Sequence, residues 1–299
     1  MKRIAITGVT GFVGRGLAAM CKEQNIAVTG ISRSGGGDVH GVDQWQTPAS
    51  MDFSGHDAVI NLAGEPIDRR WTAASKKRFH ESRVGFTRAV VAAIAACPEN
   101  LRPTTLVNAS AVGIYADRGD DLLDESAPAG TGYLADLCRD WESAAMEAGS
   151  HGVRVVTMRI GVVLGPDGRA WQKLRRLFHL GLGGRLGHGR QWMPWIHVDD
   201  LRAALLYVAG SDNIHGAVNT TAAEPVRNSD FTRELAASLH RPALFPAPAI
   251  LLRIALGEFA SVLLASQRVI PAALQQSGFK FRFSTLAEAL LALNKPPAS

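Results

Sequence analysis

The run Thr7-Gly8-Val9-Thr10-Gly11-Phe12-Val13-Gly14 constrains this chain more than any other feature. It follows a short apolar run, Arg3 to Thr7, and opens onto Gly14 to Glu23, where apolar residues recur at helical spacing. A strand that turns through glycines straight into a helix starts a parallel α/β sheet. Gly8 permits the tight turn, Gly11 lets a phosphate approach the backbone, and Gly14 lets the helix pack closely on the strand. The helix N-terminus then presents free N–H groups and partial positive charge to the phosphate. The spacing is GxxGxxG, so its force comes from the strand before it and the helix after it. Gly8, Thr10, Gly11, Phe12, Val13 and Gly14 are the first candidate cofactor-binding residues.

The rest of the first two thirds repeats strand and helix. Strands are predicted over Ala27–Ser32, Asp57–Leu62, Thr105–Ala109, Arg154–Leu164 and Ala217–Thr221, and helices over Lys76–Cys97, Leu134–Ala148 and Asp199–Ala209. After Gly165-Pro166 the glycines at 181, 183, 184, 187 and 189 crowd a segment that also holds Arg185, Arg190, Trp192 and Trp195, which suggests a ligand-facing excursion. From about Pro225 the tail reads as helical, with Asn228-Ser229-Asp230 as N-cap candidates and a capping box in Thr285 and Glu288. The expected architecture is α/β: a Rossmann-type doubly wound parallel sheet over residues 1–165 and 198–222, with a smaller, mainly helical substrate-side domain from 166–197 and 223–299.

Composition narrows the class. At 46% hydrophobic and 20% charged, 299 residues suit a globular fold. Cys21, Cys97 and Cys138 form no CxxC pair, so no disulfide framework or zinc site is expected, no metal is assigned, and a reducing, cytoplasmic setting fits. The first residues reach a glycine turn too soon for a signal peptide. The most apolar stretch, Pro246 to Ala265, carries Arg253 and Glu258, so no membrane span is expected. A net charge of +5, with cations mixed among acids, does not call for nucleic acid. A small-molecule substrate is the expected partner, and the fold's helix packing allows a homodimer.

About twenty residues beyond the glycine turn, where a carboxylate would hold an NAD ribose, stand Ser32 and Arg33. A carboxylate would repel a ribose 2′-phosphate; Arg33 can bind one through charge-assisted bonds, and Ser32 can add a hydroxyl. The cofactor expected from these residues is NADP.

Four motifs in order resemble those of the extended short-chain dehydrogenase/reductases. Besides the glycine turn, they are Asn61-Leu62-Ala63-Gly64, Arg159-Ile160-Gly161-Val162-Val163-Leu164-Gly165-Pro166 and Trp195-Ile196-His197-Val198-Asp199-Asp200-Leu201. Ser110-Ala111-Val112-Gly113, Leu137-Cys138-Arg139-Asp140-Trp141-Glu142 and the tail from Gln267 to Phe279 further resemble the atypical "epimerase family" branch of NAD-dependent epimerase/dehydratase-like proteins. That resemblance implies that Leu62, Ala63 and Gly64 close over the adenine and ribose side of the cofactor. It also implies that Gly161 and Val162 lie beside the nicotinamide, that Arg83 reaches the cofactor, and that a small helical domain ends the chain.

Hydride chemistry in such enzymes uses a tyrosine as proton donor or acceptor, a serine that orients the oxygen, and a lysine four residues after the tyrosine. Ser110 matches the serine and Tyr133 the tyrosine, but position 137 is leucine. Without that cation a tyrosine of ordinary pKa holds little phenolate near neutrality. Tyr133 therefore stands as a candidate for catalysis or for packing, and Tyr115 as a second candidate acid. Glu65, Arg69 and Trp71 on one side, with Arg190, Trp195 and His197 on the other, are candidate substrate-lining residues. The sequence thus supports an NADP(H)-binding oxidoreductase or epimerase acting on a polar substrate, by analogy a sugar nucleotide. The alternative is an NADP(H)-binding regulator or sensor with little or no catalysis.

Overall fold

A computed structural model describes residues 1–294. In chain order the first elements are β1 (Arg3–Thr7), α1 (Phe12–Glu23), β2 (Ala27–Ile31), β3 (Gln44–Gln46), β4 (Ala58–Asn61), α2 (Ala73–His80), α3 (Phe86–Ala96), β5 (Thr105–Ala111), β6 (Leu122–Leu123), α4 (Tyr133–Met146) and β7 (Arg154–Ile160). There follow β8 (Val162–Leu164), α5 (Arg169–His179), β9 (Trp192–Met193), β10 (Trp195–His197), α6 (Val198–Gly210), β11 (Gly216–Thr220), β12 (Val226–Arg227) and α7 (Asn228–Ser238). The chain continues through α8 (Ala249–Leu256), α9 (Ala260–Leu264), β13 (Arg268–Val269), α10 (Ala272–Gln276) and α11 (Leu286–Asn294).

Seven strands form one parallel sheet in the order β11-β7-β5-β4-β1-β2-β3. The order reverses at β1, so β1 and β4 flank the crevice in which open α/β sheets bind ligands. Both sheet faces are apolar, as a sheet covered on both sides requires. One face packs Ile4, Ile6, Val28 and Ile60 against Leu17 of α1 and Leu201 and Leu205 of α6. The other packs Ala5, Val59 and Leu106 against Val90 and Ile94 of α3.

The structure refines the sequence reading at four places. The strand expected over Arg154–Leu164 breaks at Gly161, whose N–H still bonds Thr220 of the main sheet while the N–H of Val162 bonds Pro194. A side chain at 161 would lie 2.8 Å from the Pro194 carbonyl, so only glycine lets the strand switch partners from β11 to β10. The single helix expected over Lys76–Cys97 is two helices joined by a π-helical turn, Glu81–Gly85. Such turns carry one extra residue and recur at functional sites. The edge strand β3 was not foreseen, because three half-polar residues carry no periodic signal. Finally, α7 starts at Asn228 after Arg227, so Asn228, Ser229 and Asp230 lie inside the helix; Asn228 instead accepts the Leu186 N–H at 2.8 Å. The Thr285–Glu288 box forms as expected, with Glu288 accepting the Thr285 N–H at 3.1 Å.

A further core unites Leu164, Trp171, Phe178 and Trp195 with Phe231, Leu235, Phe283, Leu286 and Leu290. It ties the segment after Pro166 to the C-terminal helices. Asp200 anchors this unit to α6, its buried carboxylate accepting the N–H groups of Arg282 and Phe283 at 2.7 and 3.1 Å.

Candidate active site at the carboxyl edge of the sheet

The glycine turn is shaped by close backbone approach. Gly8 has φ +65°, and a side chain there would lie 2.9 Å from the Leu62 carbonyl group. A side chain on Gly14 would lie 2.5 Å from the Gly8 carbonyl oxygen. No side chain caps α1, so its first-turn N–H groups are left for another acceptor. Thr10 and Gly11 are exposed at the turn, and the Phe12 ring lies where a side chain on Gly165 or Gly168 would have to go. Arg202 of α6, held by Asp199 at 3.2 Å, donates to the Phe12 carbonyl at 2.9 Å and so fixes the turn from behind. The cradle thus fits a dinucleotide pyrophosphate: it combines a free helix N-terminus with glycines that a side chain would block.

Beside it, Ser32 is buried at the end of β2, its Oγ accepting the Gly36 N–H at 3.1 Å. Arg33 is exposed and makes no ion pair among the described residues. The backbone N–H groups of Leu62 and Ala63 bond Thr7 Oγ1, which brings the Leu62-Ala63-Gly64 element against the glycine turn.

Two polar networks continue along this edge. In the first, Thr7 donates to Asn61 Oδ1 at 2.5 Å, and Asn61 donates to Thr87 and Asn108 at 2.9 and 2.6 Å. The second contains Ser110, which donates to Glu142 Oε1 at 2.6 Å. Arg159 grips the same carboxylate from two nitrogens, at 2.9 Å each, and donates a third bond to the Tyr115 hydroxyl at 2.9 Å. Tyr115 in turn donates to Asn219 Oδ1 at 2.7 Å. Burial alone would strip charge from Arg159, but the doubly bonded carboxylate holds its pKa above the ordinary value.

Glu142 and Arg159 were quoted in sequence motifs without a role. Signals for them were present. Glu142 interrupts the buried stripe Ala135, Cys138, Ala145 of α4, and Arg159 interrupts the apolar strand Val155 to Ile160.

Other expected site residues are placed elsewhere. Tyr115 is 0% exposed, burial raises its pKa, and its hydroxyl is engaged with Asn219 and Arg159 within the network. Tyr133 is half-buried; its hydroxyl donates to the Lys76 carbonyl at 3.1 Å, and desolvation raises its pKa. Lys76 lies 4.7 Å from the Tyr133 ring centre and is paired with Glu258 at 2.6 Å, the Arg83 charge opposes the effect of burial on the Tyr133 hydroxyl, and Leu137 is buried in the core. Trp71 is buried edge-on against Tyr133, its indole N–H bonded to the Ile67 carbonyl. Trp195, 1% exposed, belongs to the C-terminal core and leaves no face for a substrate. His197 is also buried, 4.0 Å from Phe283 between ring centres, and its Nδ1 accepts the Asp199 N–H at the start of α6. Burial pulls its pKa down to about 4, so the ring is neutral near pH 7.

Glu65 is gripped by Arg69 at 2.9 Å and Arg78 at 3.3 Å on the rim. Arg190 is exposed beside Trp192, whose ring is flanked by Arg227 and Arg268. Arg83, on the π-helical turn, lies where a side chain on Gly64 would come within 3.3 Å of its guanidinium carbon.

A parallel sheet reversing at β1, with an uncapped helix N-terminus and a glycine cradle at the reversal, defines a Rossmann-type dinucleotide-binding protein. The sequence profile of the NAD dependent epimerase/dehydratase family matches residues 4–219, and the chain belongs to that family. Residues 247–293 match a domain of unknown function, DUF1731. An epimerase family protein of Mycobacterium tuberculosis is 41% identical over 294 residues, 96% of each chain. The chloroplastic SDR39U1 homologue of Arabidopsis thaliana is 38% identical, over 97% of this chain and 86% of that one. The crystal structure of human epimerase family protein SDR39U1 with NADPH superposes with a TM-score of 0.90 at 32% identity, covering 97% of this chain and 98% of that one. No helix among the described residues is long and apolar enough to cross a membrane.

Proposed function

We propose that this protein is an NADP(H)-dependent oxidoreductase or epimerase that acts on a polar substrate, with sugar nucleotides the first class to try. One observation carries the reading: Arg33 stands exposed and unpaired at the end of β2, beside the glycine cradle, where an NAD-specific site would carry an acid. Gly8, Gly11 and Gly14 would admit the pyrophosphate, Ser32 and Arg33 the 2′-phosphate, and Leu62, Ala63 and Gly64 the adenosine side. Gly161 and Val162 would border the nicotinamide. The NADPH bound to the human relative supports the same choice. Bound cofactor would supply hydride exchange.

The chain's own contribution lies at Ser110. Its hydroxyl proton is directed at Glu142, so its lone pairs are free to accept a hydrogen bond from a substrate hydroxyl and fix that oxygen. Turnover should appear as a change in NADPH absorbance with a panel of aldehydes, ketones and oxidised sugar nucleotides. Ser110→Ala should reduce it about 100-fold, in line with the usual worth of a positioned catalytic group, at unchanged NADPH affinity. Unaltered turnover in Ser110→Ala would remove Ser110 from the mechanism.

Leu137 in the lysine position and the engaged Tyr133 hydroxyl favour a second reading, in which bound NADP(H) acts as a regulatory or structural ligand. This reading predicts NADPH binding without turnover on any panel member. The three free, buried cysteines suit a reducing compartment such as the cytoplasm.

A further inference from the structure

Apart from Arg253, every residue of α8 is apolar, yet the helix buries none of them. α7 and α11 behave otherwise, burying Phe231 and Leu235 in one case and Leu286, Leu290 and Leu293 in the other. Ile250, Leu251 and Ile254, which share one face of α8, are 57–67% exposed. A helix of two turns does not hold by propensity alone, and an exposed apolar face of this kind marks a contact surface.

The backbone ahead of α8 is laid against the glycine-rich segment that follows α5. Ala247 accepts the Gly187 N–H and donates to the Arg185 carbonyl, both at 2.8 Å, and a side chain on Gly184 would overlap the Phe245 carbonyl oxygen. The glycines therefore let the two segments lie backbone to backbone. Leu180 and Leu182 on one side of this seam, and Leu244 and Phe245 on the other, are 61–73% exposed. The charge around them has one sign. No acid lies between Asp167 and Asp199 or between Glu234 and Glu258. In those segments Arg175, Arg176, Arg185, Arg241 and Arg253 are exposed and make neither an ion pair nor a side-chain hydrogen bond among the described residues. Arg185 and Arg241 join Arg233 around a cavity of about 470 Å³ that Leu244 and Pro246 also line, so cations meet exposed apolar side chains at one edge.

We infer that this face docks on an anionic phospholipid bilayer, with Phe245, Ile250, Leu251 and Ile254 entering the headgroup boundary and Arg185 and Arg241 binding lipid phosphates. Such a surface offers apolar depth and negative charge together, which is the combination this face lacks. A second copy of the chain does not offer it, because a two-fold interface would set the same unpaired arginines against one another. No described helix is long and apolar enough to cross a membrane, so the contact is peripheral. Neither the cofactor cradle nor Ser110 enters the argument, so it stands or falls apart from the proposed function.

Flotation of the full chain with lipid vesicles is the test. Wild-type protein should float with vesicles of equal parts phosphatidylcholine and phosphatidylglycerol, bind pure phosphatidylcholine vesicles at least about tenfold more weakly, and leave the mixed vesicles as salt is raised. Arg185→Gln combined with Arg241→Gln should lower the partition coefficient about 30-fold. Leu251→Gln combined with Ile254→Gln should lower it at least about tenfold. All four positions are exposed, so the unfolding midpoint should stay within about 2 °C of the wild type. If the α8 pair does not fold, Phe245→Gln on the loop ahead of it reads the same contact. Leu101→Gln, exposed away from these segments, should bind as the wild type does. Absence of wild-type flotation, equal binding to both kinds of vesicle, or binding that survives both double variants overturns the proposal. A wild-type dimer that Leu251→Gln with Ile254→Gln converts to monomer in sedimentation would assign the face to a second copy and overturn it as well.

Discussion

At the β1 end of the carboxyl edge, the groups that face a ligand are backbone N–H groups and glycines, all drawn from Thr7 to Gly14. At the β5–β7 end the edge is instead a network of side chains at 110, 115, 142, 159 and 219, brought together from separate elements of the chain and bonded to one another. The first kind of site depends on what is left out, since a side chain at Gly8 or Gly14 would collide with the backbone of Leu62 or of Gly8 and distort the turn. The second depends on every member being present, because each buried polar group needs the next.

The two ends should therefore fail differently. The largest effect is expected from Arg159→Met, which strands the Glu142 carboxylate and should cost about 3 kcal/mol in denaturant unfolding. Adding Glu142→Leu to it should restore most of that loss, since an apolar pair replaces an ion pair of similar volume. A double variant no more stable than the single one would show that the network is not the cause. Gly14→Val comes next: its side chain meets backbone at 2.5 Å, so it should cost about 2 kcal/mol of stability and remove NADPH binding altogether. Retained NADPH affinity would mean that the cradle is not the cofactor site.

His197 sharpens the comparison through pH. Its folded pKa lies near 4, below the ordinary 6.5. The neutral ring's contribution to stability is complete above pH 6.5 and is lost as pH falls toward 4, where the unfolded chain binds a proton that the folded protein resists. The loss should be on the order of 3 kcal/mol. His197→Asn, which can still cap α6, should flatten that part of the profile. A profile that is unchanged in the variant would place the titration elsewhere. The smallest effect belongs to Tyr133→Phe, which removes one bond to the Lys76 carbonyl and should cost about 1 kcal/mol or less, with turnover retained. A large loss of turnover would return Tyr133 to catalysis.

The same contrast explains what could be read before the fold was known. The glycine turn, the six foreseen sheet strands and the Ser32–Arg33 pair are local signals, visible as spacing along one stretch of chain. The π-helical turn that presents Arg83 is not, because one extra residue per turn leaves the apolar spacing of Lys76 to Cys97 nearly unchanged. Trp71 and Trp195 carry no mark of which neighbour they will pack against, and both turned inward. Glu142 was legible only as a charge out of place on an apolar stripe, and its partner Arg159 lies on a different element. The break after Ile160 rested on one glycine inside a run of β-formers, and only the position of Pro194 gives it meaning.

The central claim is that this cradle takes NADP(H) and selects it through Arg33. Titration of the purified protein with NADPH and NADH in parallel, repeated on Arg33→Asp, tests it most directly. NADPH should bind at least about tenfold tighter than NADH, and Arg33→Asp should erase that preference by repelling the 2′-phosphate. Equal affinities in the wild type, or a preference that survives the substitution, would contradict it.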